Sequence, residues 1–321
     1  VIAAARLREG ALAVTTGDYA AAEEALRAAY FTAARADAWE SAADAANALV
    51  LTVGYRLARH VEGRAWADHA ALAIERAGDP GQLREAERID HLGIIDLGTG
   101  DLAPAREQLE RALILRRETL GEDHPVVATT LNRLGAVRTS LGDYAGARRF
   151  FEQSRAIRER VLGPEHPQIA AALNNIASSH MSVGEPAEAL PLFARALEIE
   201  ERALGPDHPN VALDLHNLAS ANDLIGRSDE ALRLYERALA IQERVLGPEH
   251  PLVATTLESL ALVKSRLVDL ATARPLLMRS LAIREQVLGP EHPDVASSLR
   301  MLGEVEQEFG DFPAAATAYQ R

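Results

Sequence analysis

The sequence of 321 residues contains no cysteine and few aromatic residues. Without a thiol, the chain can form no disulfide, no thiolate nucleophile and no cysteine-ligated zinc or iron–sulfur centre. Aromatic residues make up 4% of the chain, whereas apolar residues together make up 48%. The core must therefore consist mainly of aliphatic side chains. Alanine is frequent among them, which suits close contact between helices.

An excess of positive charge and long apolar runs are also missing. The 34 basic residues are outnumbered by 47 acidic residues, which gives a formal net charge of −13. Nucleic-acid-binding proteins usually carry a basic face, so we expect no nucleic-acid partner. Because no run of about 18 apolar residues occurs, we expect no membrane span and a cytoplasmic location. The first residues, "VIAAARLREG", include no Met and no signal peptide, and we interpret the chain as a piece of a larger protein.

What the sequence does contain is a repeat. The pair His-Pro recurs at intervals of 42 residues, at His124-Pro125, His166-Pro167, His208-Pro209, His250-Pro251 and His292-Pro293. A glycine keeps the same interval at Gly100, Gly142, Gly184, Gly226 and Gly310, with Val268 in the one remaining place. Self-similarity at a fixed period of this size predicts a solenoid or a propeller.

The apolar spacing within each repeat decides between these architectures. After Pro167, apolar residues follow at Ala170, Leu173, Ile176 and Ala177, which is helical spacing. The stretch after Gly184 has the same spacing. Each repeat is therefore predicted to be two helices, named A and B here, and the fold class is all-α, a right-handed α-α superhelix of about eight helix pairs.

We predict a single solenoid over residues 1–321. Its predicted units are two irregular helix pairs at 1–36 and 38–78, five regular repeats at 83–121, 125–163, 167–205, 209–247 and 251–289, and a shortened last repeat at 293–321. In the second pair, Leu57 stands where the turn glycine is expected.

The repeated sequence "GPEHP" predicts a corner between two helices. Gly163 suits the left-handed conformation that often ends a helix. His166 precedes a proline, which favours the extended geometry of a helix N-cap. Pro167 then occupies the first helical position, where its missing N–H is not needed. The repeated histidines are thus interpreted as structural residues.

The same histidines do not form a metal or catalytic site in this interpretation. Neighbouring helices pack about 8–10 Å apart, whereas two imidazoles that share a zinc ion must each reach within about 2.1 Å of it. A catalytic group also occurs once, in a pocket with partners from elsewhere in the chain. We therefore predict no metal ligand, no catalytic residue and no cofactor.

The repeat resembles a known family. The sequence "LNNIA" from Leu173 and the sequence "RALEIEERALG" from Arg195 resemble tetratricopeptide repeats, and the 42-residue period with "LGPEHP" resembles the repeats of kinesin light chains. The resemblance covers residues 83–321 well and residues 1–82 as degenerate units. It implies that the A helices line a concave groove that binds a peptide or a partner protein.

A narrower resemblance lies upstream. The stretch "VGYRLARHVEGRAW", Val53 to Trp66, resembles the C-terminal region of large bacterial serine/threonine protein kinases that are abundant in myxobacteria. The chain itself has no Gly-rich loop, no H-R-D and no D-F-G motif. The resemblance implies that a kinase domain precedes Val1 and that the chain is its regulatory or docking half.

Polar residues of the A helices are the candidate binding residues. They are Asn132, Arg133, Asn174, Asn175, Ser178, His216, Asn217 and Ser220. In the family, asparagines in this region hydrogen-bond an extended peptide, and Arg133 could pair with a carboxylate of the guest. The alternative is that the asparagines cap or bridge neighbouring helices, and the sequence leaves both interpretations open.

The function predicted from these patterns is non-catalytic protein–protein interaction. The first alternative is a scaffold that self-associates, as a homodimer through its terminal repeats. An enzyme or a small-ligand sensor ranks last, because either would need a closed pocket with convergent polar groups and a solenoid groove is open.

Overall fold

The computed structural model describes residues 2–321 as an all-α protein, and this part of the chain contains no β-strand. The first compact unit, Val1–Val161, contains α1 (Ile2–Thr16), α2 (Tyr19–Arg35), α3 (Trp39–Leu49), α4 (His60–Ala77), α5 (Leu83–Thr99), α6 (Leu102–Leu120), α7 (Pro125–Ser140) and α8 (Tyr144–Leu162). The second unit, Leu162–Arg321, contains α9 (Pro167–Ser182), α10 (Pro186–Leu204), α11 (Pro209–Leu224), α12 (Ser228–Leu246), α13 (Pro251–Arg266), α14 (Leu270–Leu288), α15 (Pro293–Phe309) and α16 (Phe312–Gln320). Odd-numbered helices are the A helices and even-numbered helices are the B helices.

The order of contacts is that of a solenoid. Within the first unit, α1 packs on α2, α3 on α4 and α5 on α6, and each of α2, α4 and α6 also packs on the next A helix. In the second unit, the pairs α9–α10, α11–α12, α13–α14 and α15–α16 are joined in the same way by the B helices α10, α12 and α14. This confirms the predicted all-α architecture of about eight helix pairs.

The histidine corners have the predicted geometry. The five histidines have φ between −74° and −77° and ψ between 138° and 145°, and a proline opens the helix after each. In each corner the imidazole Nδ1 accepts the backbone N–H two residues further on, at 3.2 Å. The histidines therefore satisfy one of the N–H groups that every helix start leaves without a helical partner.

Helices A and B of a repeat meet where a small residue faces a large one. A Cβ at Gly135 on α7 would lie 2.4 Å from the ring of Phe151 on α8. In the second unit, Ala177 and Phe193 occupy the equivalent positions and share one buried cluster. The small residue allows the two helices to approach closely, and the large side chain fills the space between them.

The second helix pair departs from the repeat. A π-helical segment, Val50–Arg56, follows α3. The left-handed conformation expected at Leu57 is found one residue later, at Ala58 with φ of 53°. The expectation for Leu57 was therefore wrong by one residue, since the 42-residue interval counted back from Gly100 falls on Ala58.

Within residues 2–321, no helix combines the length and the apolar character needed to cross a bilayer.

Val268 adopts the backbone conformation of the glycines that it replaces. Its φ is 62°, close to the 80° of Gly226 one repeat earlier. The left-handed conformation costs an L-residue roughly 1–2 kcal/mol, and a β-branched side chain is especially unsuited to it. Because 79% of the side chain is exposed, its packing compensates little of this cost.

We expect Val268→Gly to raise the stability of the second unit by about 1 kcal/mol, since it removes the strain and little buried surface. The measurement is the midpoint of urea denaturation followed by far-UV circular dichroism. The reciprocal variant Gly226→Val, at a position where a Cβ meets no atom within 4 Å, should lower the midpoint. An unchanged or lower midpoint for Val268→Gly would contradict the assignment of strain.

Candidate binding surface on the A helices

The eight candidate residues lie on three A helices. Asn132 and Arg133 are on α7 in the first unit. In the second unit, α9 carries Asn174, Asn175 and Ser178, and α11 carries His216, Asn217 and Ser220. Ser178 is exposed and the other seven side chains are half-buried, so that every candidate residue retains some solvent contact.

Two of the candidate residues connect neighbouring A helices. The Nδ2 of Asn174 on α9 donates a hydrogen bond to Oδ1 of Asp214 on α11, at 2.6 Å. The Nδ1 of His216 on α11 lies 3.1 Å from the hydroxyl of Thr256 on α13. In both cases the partner lies 40 residues further along the chain. These contacts match the bridging role left open by the sequence, and they hold successive repeats in register.

Arg133 is engaged with an acidic residue of its own unit. It forms an ion pair with Asp90 on α5, and Arg116 on α6 lies 3.0 Å from the same carboxylate. Burial lowers the pKa of Arg116 and Arg133 to about 10, so both remain charged at neutral pH. Two cations therefore share one buried anion, and the Arg133 side chain is only 15% exposed.

His216 is a neutral residue at physiological pH. Burial lowers the pKa of its imidazole to about 4. Its ring stands edge-on to the ring of Tyr235, with centroids 5.1 Å apart. Such an imidazole acts as a hydrogen-bonding and packing group, because charging it would require placing a cation in a poorly solvated site.

Ser220 is also linked to the packing beneath it. Its hydroxyl and that of Ser259 on α13 hydrogen-bond Tyr235, whose pKa is raised mainly by burial. Tyr235 lies on α12 and is 3% exposed. Its phenol thus connects the core of one repeat to two A helices.

Polar residues that are buried or half-buried at the junctions between repeats form a set that was not predicted from the sequence. Each set, called a polar triad here, has one residue on an A helix, one on its B helix 26 residues later and one on the next A helix 40 residues later. The triads are Asp90–Arg116–Thr130 in the first unit and Asn174–Glu200–Asp214, His216–Gln242–Thr256 and Glu258–Arg284–Ser298 in the second. A signal was present in the sequence, since the 42-residue interval relates Arg116, Glu200, Gln242 and Arg284.

Arginine supplies a cation to the acid in the triads in which it occurs. Arg116 hydrogen-bonds Thr130 and contacts Asp90. In the second unit, Arg284 donates to Glu258 at 3.0 Å and to the hydroxyl of Ser298 at 2.7 Å. A buried carboxylate is tolerated when a cation and hydrogen-bond donors surround it.

The exposed faces of the A helices α9 and α11 in the second unit carry almost no charge, whereas α15 exposes Arg300 and Glu304. Helix α9 contains no Asp, Glu, Lys or Arg. In α11 the acidic residues are Asp214, which is buried, and Asp223 near the C-terminal end. The exposed positions Ala171, Leu213 and Thr255, spaced by 42 residues on α9, α11 and α13, are also uncharged. The face is thus a row of amide, hydroxyl and small apolar side chains.

No group of three histidine, aspartate or glutamate side chains within residues 2–321 is arranged to hold a metal ion.

The paired helices and the small-against-large packing define an α-solenoid of helical repeats. Models of the tetratricopeptide repeat match residues 88–160, 126–180, 168–244, 224–285 and 259–321, which together span residues 88–321. The chain belongs to the tetratricopeptide repeat family. No sequence among the curated proteins matches it.

Solved structures support the same assignment. A crystal structure of "kinesin light chain nearly identical TPR-like repeats" from Podosopora anserina is 27% identical, covers 65% of this chain and 98% of that chain, and has a TM-score of 0.55. BtubC from P. vanneervenii is 22% identical over 70% of this chain and 89% of that chain, with a TM-score of 0.58. The apo form of RapI is 16% identical, covers 100% of this chain and 86% of that chain, and has a TM-score of 0.77, so it shares the fold.

The pKa of His216 predicts how acid affects the second unit. The folded-state pKa of His216, about 4, lies below the unfolded value near 6.5. The neutral imidazole therefore makes its full contribution to the free energy of unfolding above about pH 6.5. That contribution is lost as the pH falls towards 4, since the unfolded state then binds the extra proton. For a fully desolvated group, the free energy of unfolding is expected to fall by up to about 3 kcal/mol over this pH range.

We therefore expect His216→Asn to lose less stability than the wild type between about pH 7 and about pH 4.5, as measured by urea denaturation at each pH. Thr256→Val is the matched control. It removes the hydroxyl partner but leaves the buried imidazole, so it should keep the pH dependence of the wild type. Parallel pH profiles for the wild type and His216→Asn would rule out this role of His216.

Proposed function

We propose that the chain is a non-catalytic protein-interaction module that binds an extended segment of a peptide or partner protein along its A helices. The observation that carries this proposal is the almost uncharged face of α9 and α11, which Thr255 and Ser259 continue on α13, where amide and hydroxyl groups recur at 42-residue intervals. Amides supply both a donor and an acceptor, which are the groups needed to pair with a peptide backbone.

The chemistry of this face also indicates the kind of guest. Asn175 and Asn217 are half-buried on α9 and α11, and the neighbouring exposed residues are alanine, serine, leucine and threonine. An uncharged surface offers no counter-charge to a strongly acidic or basic segment. Arg133, the cation expected to attract a carboxylate, already pairs with Asp90. We therefore propose a guest segment with few charges.

A similar fold is known in complex with a partner. The structure of a Rap protein complexed with Competence and Sporulation Factor is 15% identical and covers 99% of this chain and 96% of that chain, with a TM-score of 0.61. This likeness concerns the fold, and the complex is a property of the Rap protein. The likeness in fold supports the role proposed here, without assigning that partner to this chain.

We further propose that the module is the docking or regulatory region of a larger bacterial signalling protein, a serine/threonine kinase. This part of the proposal rests on the resemblance of Val53–Trp66 to the C-terminal regions of such kinases. Sequencing the gene upstream of Val1 tests it directly, because a kinase domain should precede the repeats.

The binding proposal predicts that Asn175→Ala combined with Asn217→Ala weakens guest binding at least about tenfold, since two hydrogen-bonding amides are lost. A displayed library of short random peptides is selected on the wild type, and the affinities of enriched peptides are then measured on both proteins. Enriched peptides should be poor in charged residues, and their affinity should change little with salt.

The matched control is Arg233→Ala combined with Glu236→Ala, two exposed residues on the B helix α12. This variant should bind the enriched peptides as the wild type does. Enrichment of peptides whose affinity is unaffected by the asparagine substitutions would place binding elsewhere and reject the proposed surface.

Self-association is the second candidate function, and one observation favours it. Phe309, Phe312 and Tyr319 on α15 and α16 are 49%, 66% and 48% exposed. Three exposed aromatic side chains close together in sequence are the kind of apolar patch that proteins use to pair. If they drive dimerisation, light scattering should show a mass that rises with concentration and that falls to the monomer mass in Phe312→Ser. A strictly monomeric wild type would exclude this function.

A further inference from the structure

The polar triad Asn174–Glu200–Asp214 in the second unit contains two carboxylates and no cation. Glu200 is 5% exposed and Asp214 is 1% exposed, so both acids are buried. Glu200 stands where two of the other triads place Arg116 and Arg284 and the third places Gln242. The residue that elsewhere neutralises a buried acid is here replaced by a second acid.

The hydrogen-bonding groups of this triad do not balance when both acids are ionised. Asn174 donates one hydrogen bond to Oδ1 of Asp214. The Oδ1 of Asn174, the Oε2 of Glu200 and the Oδ2 of Asp214 are buried without a donor. A carboxylate can only accept, whereas a protonated carboxyl group also donates. A proton on one of the two carboxyl groups would therefore supply a donor that this triad lacks.

The charges around Asp214 also favour its protonated form. Helix α10 presents Glu200 and Glu201, both of which disfavour a further negative charge at Asp214. From α12, Arg237 pairs with the outer acid, Glu201. Helix α13 contacts α11 through the uncharged Thr256 and His216.

At the start of α11, the side chain of Asn210 hydrogen-bonds Glu200, and His208 interacts with the same carboxylate electrostatically. The Asn210 hydrogen bond and the charge of His208 counter the burial that raises the pKa of Glu200. The pKa of Asp214 is raised to about 7, mainly by burial, although the hydrogen bond from Asn174 acts in the opposite direction.

We propose that the junction between α9 and α11 is a pH-sensitive contact, which is tight when Asp214 carries a proton and loosens when Asp214 ionises beside Glu200. Protonation favours the folded junction because the proton binds more tightly there than in the unfolded chain. The stabilisation is complete below the unfolded value near pH 4 and is lost as the pH rises through the neutral range. Loosening would change the proposed guest surface, since α9 and α11 carry Asn175 and Asn217. That consequence rests on the proposed function, whereas the loosening itself does not.

The test compares amide hydrogen exchange in peptides from α9 to α11 between the wild type and Asp214→Asn. The imidazole of His216 titrates with the opposite sign over an overlapping range, so the two proteins are compared at each pH. The ratio of protection, variant over wild type, should rise roughly tenfold or more from about pH 5 to about pH 7.5, because asparagine has no proton to lose. Glu200→Arg should also protect these peptides above the wild-type level at about pH 7.5, since it restores the cation of the other triads.

The control is Glu236→Gln, an exposed acid on α12, for which the ratio should stay constant with pH. In the unmodified protein, carbon-13 shifts of labelled aspartate carboxyl groups should show one group that titrates near neutral pH. A ratio for Asp214→Asn that is independent of pH, or the absence of any aspartate that titrates above about pH 6, would overturn the proposal. Neither readout involves a guest, so failure here is distinguishable from failure of the proposed function.

Discussion

The close approach of helices A and B within each repeat is the constraint on which the rest of the structure depends. A residue no larger than alanine on the A helix faces a large side chain on the B helix, as Gly135 faces Phe151 and Ala177 shares a cluster with Phe193. This packing fixes the distance between the two helices, because interiors are packed too densely to absorb an extra methyl group. Once that distance is set, every regular helix pair presents the same faces to its neighbours, and stacking follows.

Stacking by apolar contact alone would leave the register between repeats loosely specified. The polar triads add direction, because a hydrogen bond such as that from Asn174 to Asp214 forms in only one register. Buried charges are costly, so an ion pair such as Glu258–Arg284 is weak evidence for net stability. The residue types of the triads change from repeat to repeat, whereas the core positions remain apolar. Junctions within one unit can therefore differ in how they respond to pH.

Much of the fold could be predicted from the sequence, because the relevant signals are local and repeated. The histidine corner is encoded in five adjacent residues, and its N-cap geometry at His166 follows from the proline that comes next. The 42-residue interval before Gly100 does give the turn at Ala58, but the π-helical segment Val50–Arg56 could not be foreseen, because it leaves no periodic trace in the sequence. The partners of Arg133 were equally hidden, because they depend on which side chains of the preceding repeat lie beneath it.

The same limitation applies to the binding residues, and it has a geometric cause. Successive residues on a helix point about 100° apart, so neighbouring columns of a repeat alignment can have opposite roles. Asn174 hydrogen-bonds Asp214 on α11 and joins the junction, whereas the adjacent Leu173 packs in a buried apolar cluster. A periodic sequence identifies the columns but does not say which of them meets the next repeat, since that depends on the angle between successive pairs. In this chain one A helix carries both the residues that hold the stack together and those that face outwards, so the outer face can vary without disturbing the register.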